Sequence, residues 1–109
     1  MLKYLKVKIK YQLSVDAEND LREIISYTLE NFGRKQALKY SYEVNLCLDK
    51  LAEQKSLSKE FKIKTHKIEM LHCKKHYIFA LIRPDLPVLI IAIFHERMDL
   101  MQRLKERLK

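Results

Sequence analysis

The chain has 109 residues, of which 48% are hydrophobic and 33% are charged, and its formal net charge is +8. This length predicts a single domain, residues 1–109, with a buried core, and the low glycine and proline content argues against long linkers or low-complexity segments. The apolar runs at residues 77–82 and 86–94 are too short to cross a bilayer as helices, so no membrane segment is expected.

The N-terminal part of the chain predicts a strand followed by a helix. Residues 5–13 alternate apolar and polar side chains, which is typical of a strand with one buried face. Ser14 is a candidate helix N-cap, and Gly33, the only glycine, stands where a helix C-cap belongs. The apolar positions between them repeat at helical spacing: Ala17, Leu21, Ile24 and Thr28, widened by Ile25, Leu29 and Phe32.

A second amphipathic helix is predicted from Arg34 to about Glu53. Its apolar face consists of Ala37, Tyr40, Ser41, Val44, Leu48 and Leu51. Two amphipathic helices joined by one glycine predict an antiparallel helical hairpin. The apolar faces of this hairpin need a partner, and a sheet formed by the rest of the chain would supply it.

The C-terminal half predicts strands joined by tight turns. After an expected loop at residues 54–60, residues 61–65 alternate as a half-exposed strand, and Ile68 and Met70 continue the alternation after a turn. The two apolar runs predict central strands buried on both faces and joined by a hairpin at Pro84 and Asp85.

A short amphipathic helix is predicted at the C-terminus, with Met98, Met101, Leu104 and Leu108 on one face. The predicted class is therefore α+β, with an N-terminal strand and a two-helix hairpin. The hairpin is expected to pack on a mainly antiparallel sheet of four or five strands.

The cysteines and histidines do not predict a metal site. Cys47 and Cys73 belong to no CxxC or zinc pattern, so two unpaired thiols in a reducing cytosol are expected. His66, His72 and His76 are close in sequence but lack a fourth ligand. We expect no cofactor. The lysine-interrupted N-terminus lacks the continuous apolar region of a signal peptide, and a cytoplasmic protein is expected.

The charge is concentrated in segments rather than spread evenly. Residues 55–75 carry seven lysines against two acidic residues, whereas residues 12–54 carry eight acidic residues against five basic ones. A basic segment on a small domain is typical of proteins that bind nucleic acid or an acidic protein. A merely solvated lysine surface is the plainer alternative.

Several short stretches in a fixed order resemble a known family. They are Tyr11-Gln12-Leu13-Ser14, Ala17, Asp20-Leu21, Tyr27-Thr28, Phe32-Gly33, Gln36-Ala37, Tyr40, His76-Tyr77-Ile78-Phe79 and His95-Glu96-Arg97-Met98-Asp99. In this ordered set the chain resembles toxins of the RelE/ParE superfamily from bacterial type II toxin–antitoxin modules, on the ParE side. It departs from the family at residues 54–59, where relatives often carry proline and glycine.

The resemblance implies a toxin that arrests growth and is neutralised by a cognate acidic antitoxin of the ParD type. ParE-like toxins inhibit DNA gyrase, whereas RelE-like toxins cleave mRNA on the ribosome. For a gyrase inhibitor, the expected target contacts are Arg97, Arg103 and Arg107 at the basic C-terminal end. The antitoxin is expected on the helical hairpin, at Leu21, Ile25, Tyr40 and Val44.

The ribonuclease alternative needs a base, an acid and a cation at one phosphate. His95 would transfer the proton, Arg83 or Arg97 would hold the phosphate, and Tyr77 would stack on a base. Tyr77 and Arg83 stand at opposite ends of one predicted strand, and Glu96 beside His95 would repel a phosphate. The gyrase hypothesis is therefore preferred, and for His95 alone a structural bond across the strand–helix junction is favoured over a catalytic role.

Overall fold

The computed structural model describes residues 10–53 and 58–109, so the predicted strand positions 5–9 and the loop positions 54–57 lie outside the described residues. The elements in chain order are β1 (Tyr11–Leu13), α1 (Val15–Phe32), α2 (Arg34–Ala52), β2 (Lys59–Ile63), β3 (His66–Cys73), β4 (His76–Leu81), β5 (Val88–His95) and α3 (Leu100–Arg107). The predicted α+β class is confirmed. Within these ranges, none of the helices combines the length and apolarity that crossing a membrane requires.

The strands form one sheet in the order β1-β5-β4-β3-β2. β1 runs parallel to β5, and the other described pairings are antiparallel, as the tight turns predicted. β2 begins at Lys59, inside the segment predicted as a loop, because Lys59 pairs with Met70. The two shortest turns place Lys64 and Lys74 at positive φ, 56° and 57°, although lysine is not a residue that favours this conformation.

The sheet separates two apolar clusters, so that the inner strands β4 and β5 are buried on both faces as predicted. One cluster joins the sheet to α1 and α2, and its centre includes Val44, Leu48, Leu51, Ile78 and Ile90. The other joins the opposite face to α3, and its centre includes Ile68, Phe79, Ile91, Phe94 and Leu104. α2 therefore buries the row from Ala37 to Leu51 against the sheet, and α3 buries Leu104. Met98 and Met101 were predicted on the same face as Leu104, but they are 40% and 39% exposed, and Met98 precedes the helix.

The ends of the helices follow the predicted capping pattern. Ser14 Oγ accepts the backbone N–H of Ala17 at 3.0 Å, which caps α1. Gly33, with φ 90°, ends α1 and begins α2, and a positive φ costs glycine least. The prediction for Leu29 and Phe32 was wrong, because both are exposed and Phe32 borders an open groove rather than the sheet.

The expectation of two unpaired thiols was also wrong. Cys47 on α2 and Cys73 at the end of β3 form a disulfide, with their Cα atoms 6.3 Å apart. This separation lies within the range that a disulfide bridges. Spacing along the sequence did not reveal the pair, because only the packing of α2 across β3 brings the two residues together.

Strand β5 contains a β-bulge at the point where it loses its outer neighbour. Phe79 pairs with Ala92 and Ala80 pairs with Ile90, so Ile91 is an extra residue. β1 pairs with β5 only as far as Ile90. The rest of this strand edge therefore presents backbone groups that need partners from elsewhere, because buried polar groups are costly without hydrogen bonds.

An ion pair between α1 and α3 supplies these partners. The Asp20 carboxylate accepts the backbone N–H of Ile93 at 2.9 Å, and the Arg107 guanidinium donates to the Ile91 carbonyl oxygen at 3.1 Å. Arg107 also donates to both carboxylate oxygens of Asp20, at 2.5 and 3.3 Å, and lies 4.8 Å from the centre of the Phe94 ring. By its position in the sequence, Asp20 near the start of α1 suits the positive end of the helix dipole, and Arg107 is expected to contact the target. In the structure, both side chains instead close the edge of β5.

Asp20→Asn should lower the free energy of unfolding by roughly 2–3 kcal/mol, because the partly buried Arg107 guanidinium loses its closer carboxylate and Asp16 is the more distant and exposed one. Urea denaturation of the full chain measures this change. Asp16→Asn is the matched control, since Asp16 is exposed and lies 3.8 Å from Arg107 Nε. It should change stability by less than about 0.5 kcal/mol. Equal losses in the two variants would contradict the closing role of Asp20.

Candidate functional site

An open groove of about 1390 Å³ lies between the helical hairpin and one end of the sheet. α1 and α2 form one wall, and the β3–β4 turn, the end of β5 and part of α3 form the other. The polar side chains at its centre and rim include Tyr40, Lys75, His76, His95, Arg97 and Arg103. The groove gathers the ionisable residues at the end of the central strand, where the sequence predicted functional groups.

The centre of the groove is a tyrosine and two histidines. His76 and His95 are cross-strand partners on β4 and β5, and their ring centres lie 5.2 Å apart in an edge-to-face arrangement. Tyr40 reaches across from α2, and its hydroxyl hydrogen-bonds to His76 Nδ1. The network therefore ties α2 to β4 and places the second imidazole beside the first.

The environment fixes the protonation states of this network near neutral pH. Burial, and secondarily the neighbouring His95, lowers the pKa of His76 to about 4, although Glu96 opposes the shift. Burial raises the pKa of Tyr40 to about 12. The tyrosine therefore keeps its proton and donates a hydrogen bond to a neutral imidazole nitrogen, which leaves the Tyr40–His76 pair uncharged.

The junction between β5 and α3 is held by local hydrogen bonds. His95 Nδ1 accepts the backbone N–H of Arg97 at 3.1 Å, which is the structural bond that the sequence suggested for this histidine. Asp99, which the sequence predicts as a capping residue at the start of the C-terminal helix, caps α3 and accepts the backbone N–H of Gln102 at 3.4 Å. One nitrogen of the His95 ring is therefore already engaged in holding the junction.

The residues of the ribonuclease alternative are dispersed. His95 and Arg97 adjoin the groove, but Tyr77 packs with the apolar cluster on the other face of the sheet and stacks on His72. Arg83 follows the far end of β4, where its Nε and Nη2 donate to the Pro87 carbonyl oxygen at 3.2 and 2.6 Å. Its Nη2 also donates to Gln12 Oε1 at 2.9 Å. These contacts hold the guanidinium at the β4–β5 loop.

The three arginines expected to contact the target differ in availability. Arg97 and Arg103 are exposed on the rim of the groove. Arg107 also borders the groove, but its guanidinium is committed to Asp20 and to the β5 backbone. Two of the three are therefore free to meet a partner, and the third holds α3 in place.

The residues expected to meet an antitoxin lie deeper than predicted. Leu21 and Ile25 are partly buried against the sheet, and Tyr40 and Val44 retain only 9% and 1% of their exposure. A second apolar row of α2 faces solvent instead, with Leu38, Tyr42 and Leu46 exposed by 61%, 64% and 41%. Their spacing of four residues was visible in the sequence, but it was overlooked beside the longer row that packs on the sheet.

The described residues contain no group of three or more histidine, cysteine or acidic side chains placed to hold a metal ion. On the other face of the sheet, His72 Nε2 and Glu96 Oε2 lie 3.1 Å apart, so this histidine is engaged in a polar pair.

The stability of the folded chain should depend on pH through His76. Its pKa is 6.5 when unperturbed and about 4 in the fold, so between these values the unfolded state binds more protons. The free energy of unfolding should therefore fall as the pH is lowered through this window, and His76→Gln should make that fall shallower. Denaturation between pH 4 and 7 measures the slope. Equal slopes in the wild type and His76→Gln would contradict this assignment.

Comparison with known proteins agrees with the resemblance in the sequence. Residues 11–100 match the family model described as the ParE toxin of the type II toxin–antitoxin system parDE. Toxin ParE of Escherichia coli is 40% identical over 99 residues, which cover 91% of this chain and 96% of that protein. A match over this much of both chains shows common descent, and the chain belongs to the ParE toxin family of type II toxin–antitoxin systems.

Proposed function

We propose that this toxin arrests growth by binding and inhibiting DNA gyrase, and that a cognate acidic antitoxin of the ParD type neutralises it. The dispersal of the candidate catalytic residues carries the first half of this proposal. Arg83 lies at the far end of β4 and Tyr77 lies on the other face of the sheet from the groove, so neither supports His95 at one phosphate. A binding inhibitor needs no such constellation.

The rim of the groove supports binding to a large acidic surface. Arg97 and Arg103 are exposed there, and Lys75 on the β3–β4 turn adds a third cation. Basic groups on one side of a small domain steer it toward a negatively charged protein or protein–DNA assembly. The rigid end of β5 and the capped start of α3 hold the two arginines in a fixed relation.

The outer surface of the helical hairpin supports the antitoxin contact. Leu38, Tyr42 and Leu46 form one exposed apolar row on α2, and Tyr27 and Phe32 form an edge-to-face pair near the end of α1, with ring centres 6.4 Å apart. An amphipathic segment that folds on binding covers rows of this kind. We therefore assign the antitoxin contact to these exposed residues and to the parts of the Leu21 and Ile25 side chains that remain accessible.

Ribosome-dependent mRNA cleavage remains the alternative, and the close pair of His76 and His95 is the feature that favours it. Two imidazoles that differ in environment are typical of acid–base pairs. His95→Ala distinguishes the two functions. Full toxicity of this variant would show that the His95 imidazole does not act as an acid or a base, and it would count against mRNA cleavage.

Wild-type toxin should inhibit DNA supercoiling by purified gyrase, and the double variant Arg97→Ala with Arg103→Ala should need roughly tenfold more protein for the same effect. The expected loss comes from removing two exposed cations at the groove rim. Titration of toxin into the supercoiling assay measures it.

The matched control is the double variant Arg22→Ala with Arg34→Ala, which removes the same charge from exposed positions outside the groove lining. It should inhibit like the wild type. Unaffected supercoiling at excess wild-type toxin would sink the gyrase proposal, and equal losses in the two double variants would remove the groove rim from it.

Tyr42→Glu should weaken binding of the antitoxin encoded beside the toxin by roughly a hundredfold, because it places a charge in the middle of the exposed apolar row. The folded toxin should tolerate the change, since Tyr42 is 64% exposed. Calorimetric titration and gel filtration of the coexpressed pair measure the effect. Gln102→Glu introduces the same charge at an exposed position of α3, away from the helical hairpin, and should bind nearly as the wild type does. Unchanged affinity of Tyr42→Glu would place the antitoxin elsewhere.

A further inference from the structure

A covalent link joins α2 to the β3–β4 hairpin directly behind the groove. Cys47 belongs to α2, and Cys73 is the last residue of β3. Cys73 Sγ also lies 3.8 Å from the carbonyl oxygen of Glu43, one helical turn before Cys47. The disulfide therefore sets the distance between the helix and the end of the hairpin.

The hairpin end that this link anchors carries part of the groove wall. Lys74 and Lys75 form the turn immediately after Cys73, and His76 follows as the first residue of β4. Lys74 Nζ pairs with the Glu43 carboxylate at 3.2 Å, and His76 hydrogen-bonds to Tyr40. Three different contacts, one covalent, one ionic and one a hydrogen bond, thus join the same turn to α2.

These contacts differ in strength and in their response to the solvent. The Lys74 side chain is 57% exposed, and exposed ion pairs hold a loop only weakly. The Lys74 backbone has a positive φ of 57°, a conformation that costs lysine more than glycine. The covalent bond is therefore the contact that most restricts this turn.

We propose that the Cys47–Cys73 bond is a redox-dependent crosslink that fixes residues 74–76 against α2 and so holds the groove in its described shape. When the bond is reduced, the ionic contact and the Tyr40 hydrogen bond still join the turn to α2, and the Glu96 N–H still donates to the Lys75 carbonyl oxygen at 2.9 Å. Without the covalent restraint, the turn opens more often. The groove rim then presents Lys75 and its neighbours in a wider range of positions.

The chemistry is thiol–disulfide exchange with a small disulfide such as oxidised glutathione. The Cys47 thiolate attacks one sulfur of the reagent, which forms a mixed disulfide and releases one thiolate. The Cys73 thiolate then attacks the Cys47 sulfur and displaces the second thiolate, so two electrons pass to the reagent and two protons leave the protein. Cys47 reacts first with the reagent, because it is partly exposed whereas Cys73 is only 2% exposed. Excess thiol reverses both steps.

The full chain, equilibrated in glutathione buffers from reducing to oxidising, tests the proposal. Mass spectrometry with a thiol-blocking reagent counts the free thiols, and thermal unfolding and amide hydrogen exchange follow the consequences. The oxidised form should melt roughly 10 °C higher than the reduced form. Amide exchange at residues 73–77 should be roughly tenfold slower in the oxidised form than in the reduced form.

Cys47→Ser is the matched control, because it removes the crosslink at the less buried of the two cysteines. Its melting temperature and its exchange at residues 73–77 should not respond to the redox buffer. Two free thiols in the wild type under oxidising glutathione would overturn the proposal. A crosslink that forms without slowing exchange at the turn would overturn it equally, since the bond would then not restrain the groove wall.

Discussion

The ion pair between Asp20 and Arg107 is the interaction on which the arrangement of layers depends. It lies at the bulge of β5, where β1 ends and the strand edge would otherwise be bare. One carboxylate and one guanidinium satisfy the backbone at Ile91 and Ile93 and at the same time satisfy each other. Because Asp20 belongs to α1 and Arg107 to α3, the pair joins the two helical layers around the edge of the sheet.

This arrangement determines where the groove can form. The extra residue at Ile91 shifts the alternation of side chains along β5 by one position. After it, Ile93 lies in the cluster under the hairpin and Phe94 lies in the cluster under α3. The strand then ends at His95, beside its partner His76. The groove thus has a rigid floor of strand ends and a wall of helix, and its cations stand on the rim.

The two faces of α2 have different tasks. Val44 and Leu48 belong to the inner row and are fully committed to the core, while Tyr42 belongs to the outer row and remains exposed. An apolar row left in water on a small charged protein indicates a surface that a partner covers. The antitoxin proposed for this toxin would cover such a row.

The sequence by itself determined the fold class, the helix caps at Ser14 and Asp99, the role of Gly33 and the central position of β4 and β5. These features follow from the local periodicity of apolar residues, from side chains that hydrogen-bond to backbone groups a few residues away, and from the backbone freedom of glycine. Only the tertiary structure decided that Cys47 meets Cys73, that Asp20 meets Arg107, and that Tyr40 bonds to His76. These partners are 26 to 87 residues apart, and pairing at such range depends on helix packing and strand register, which no local pattern records.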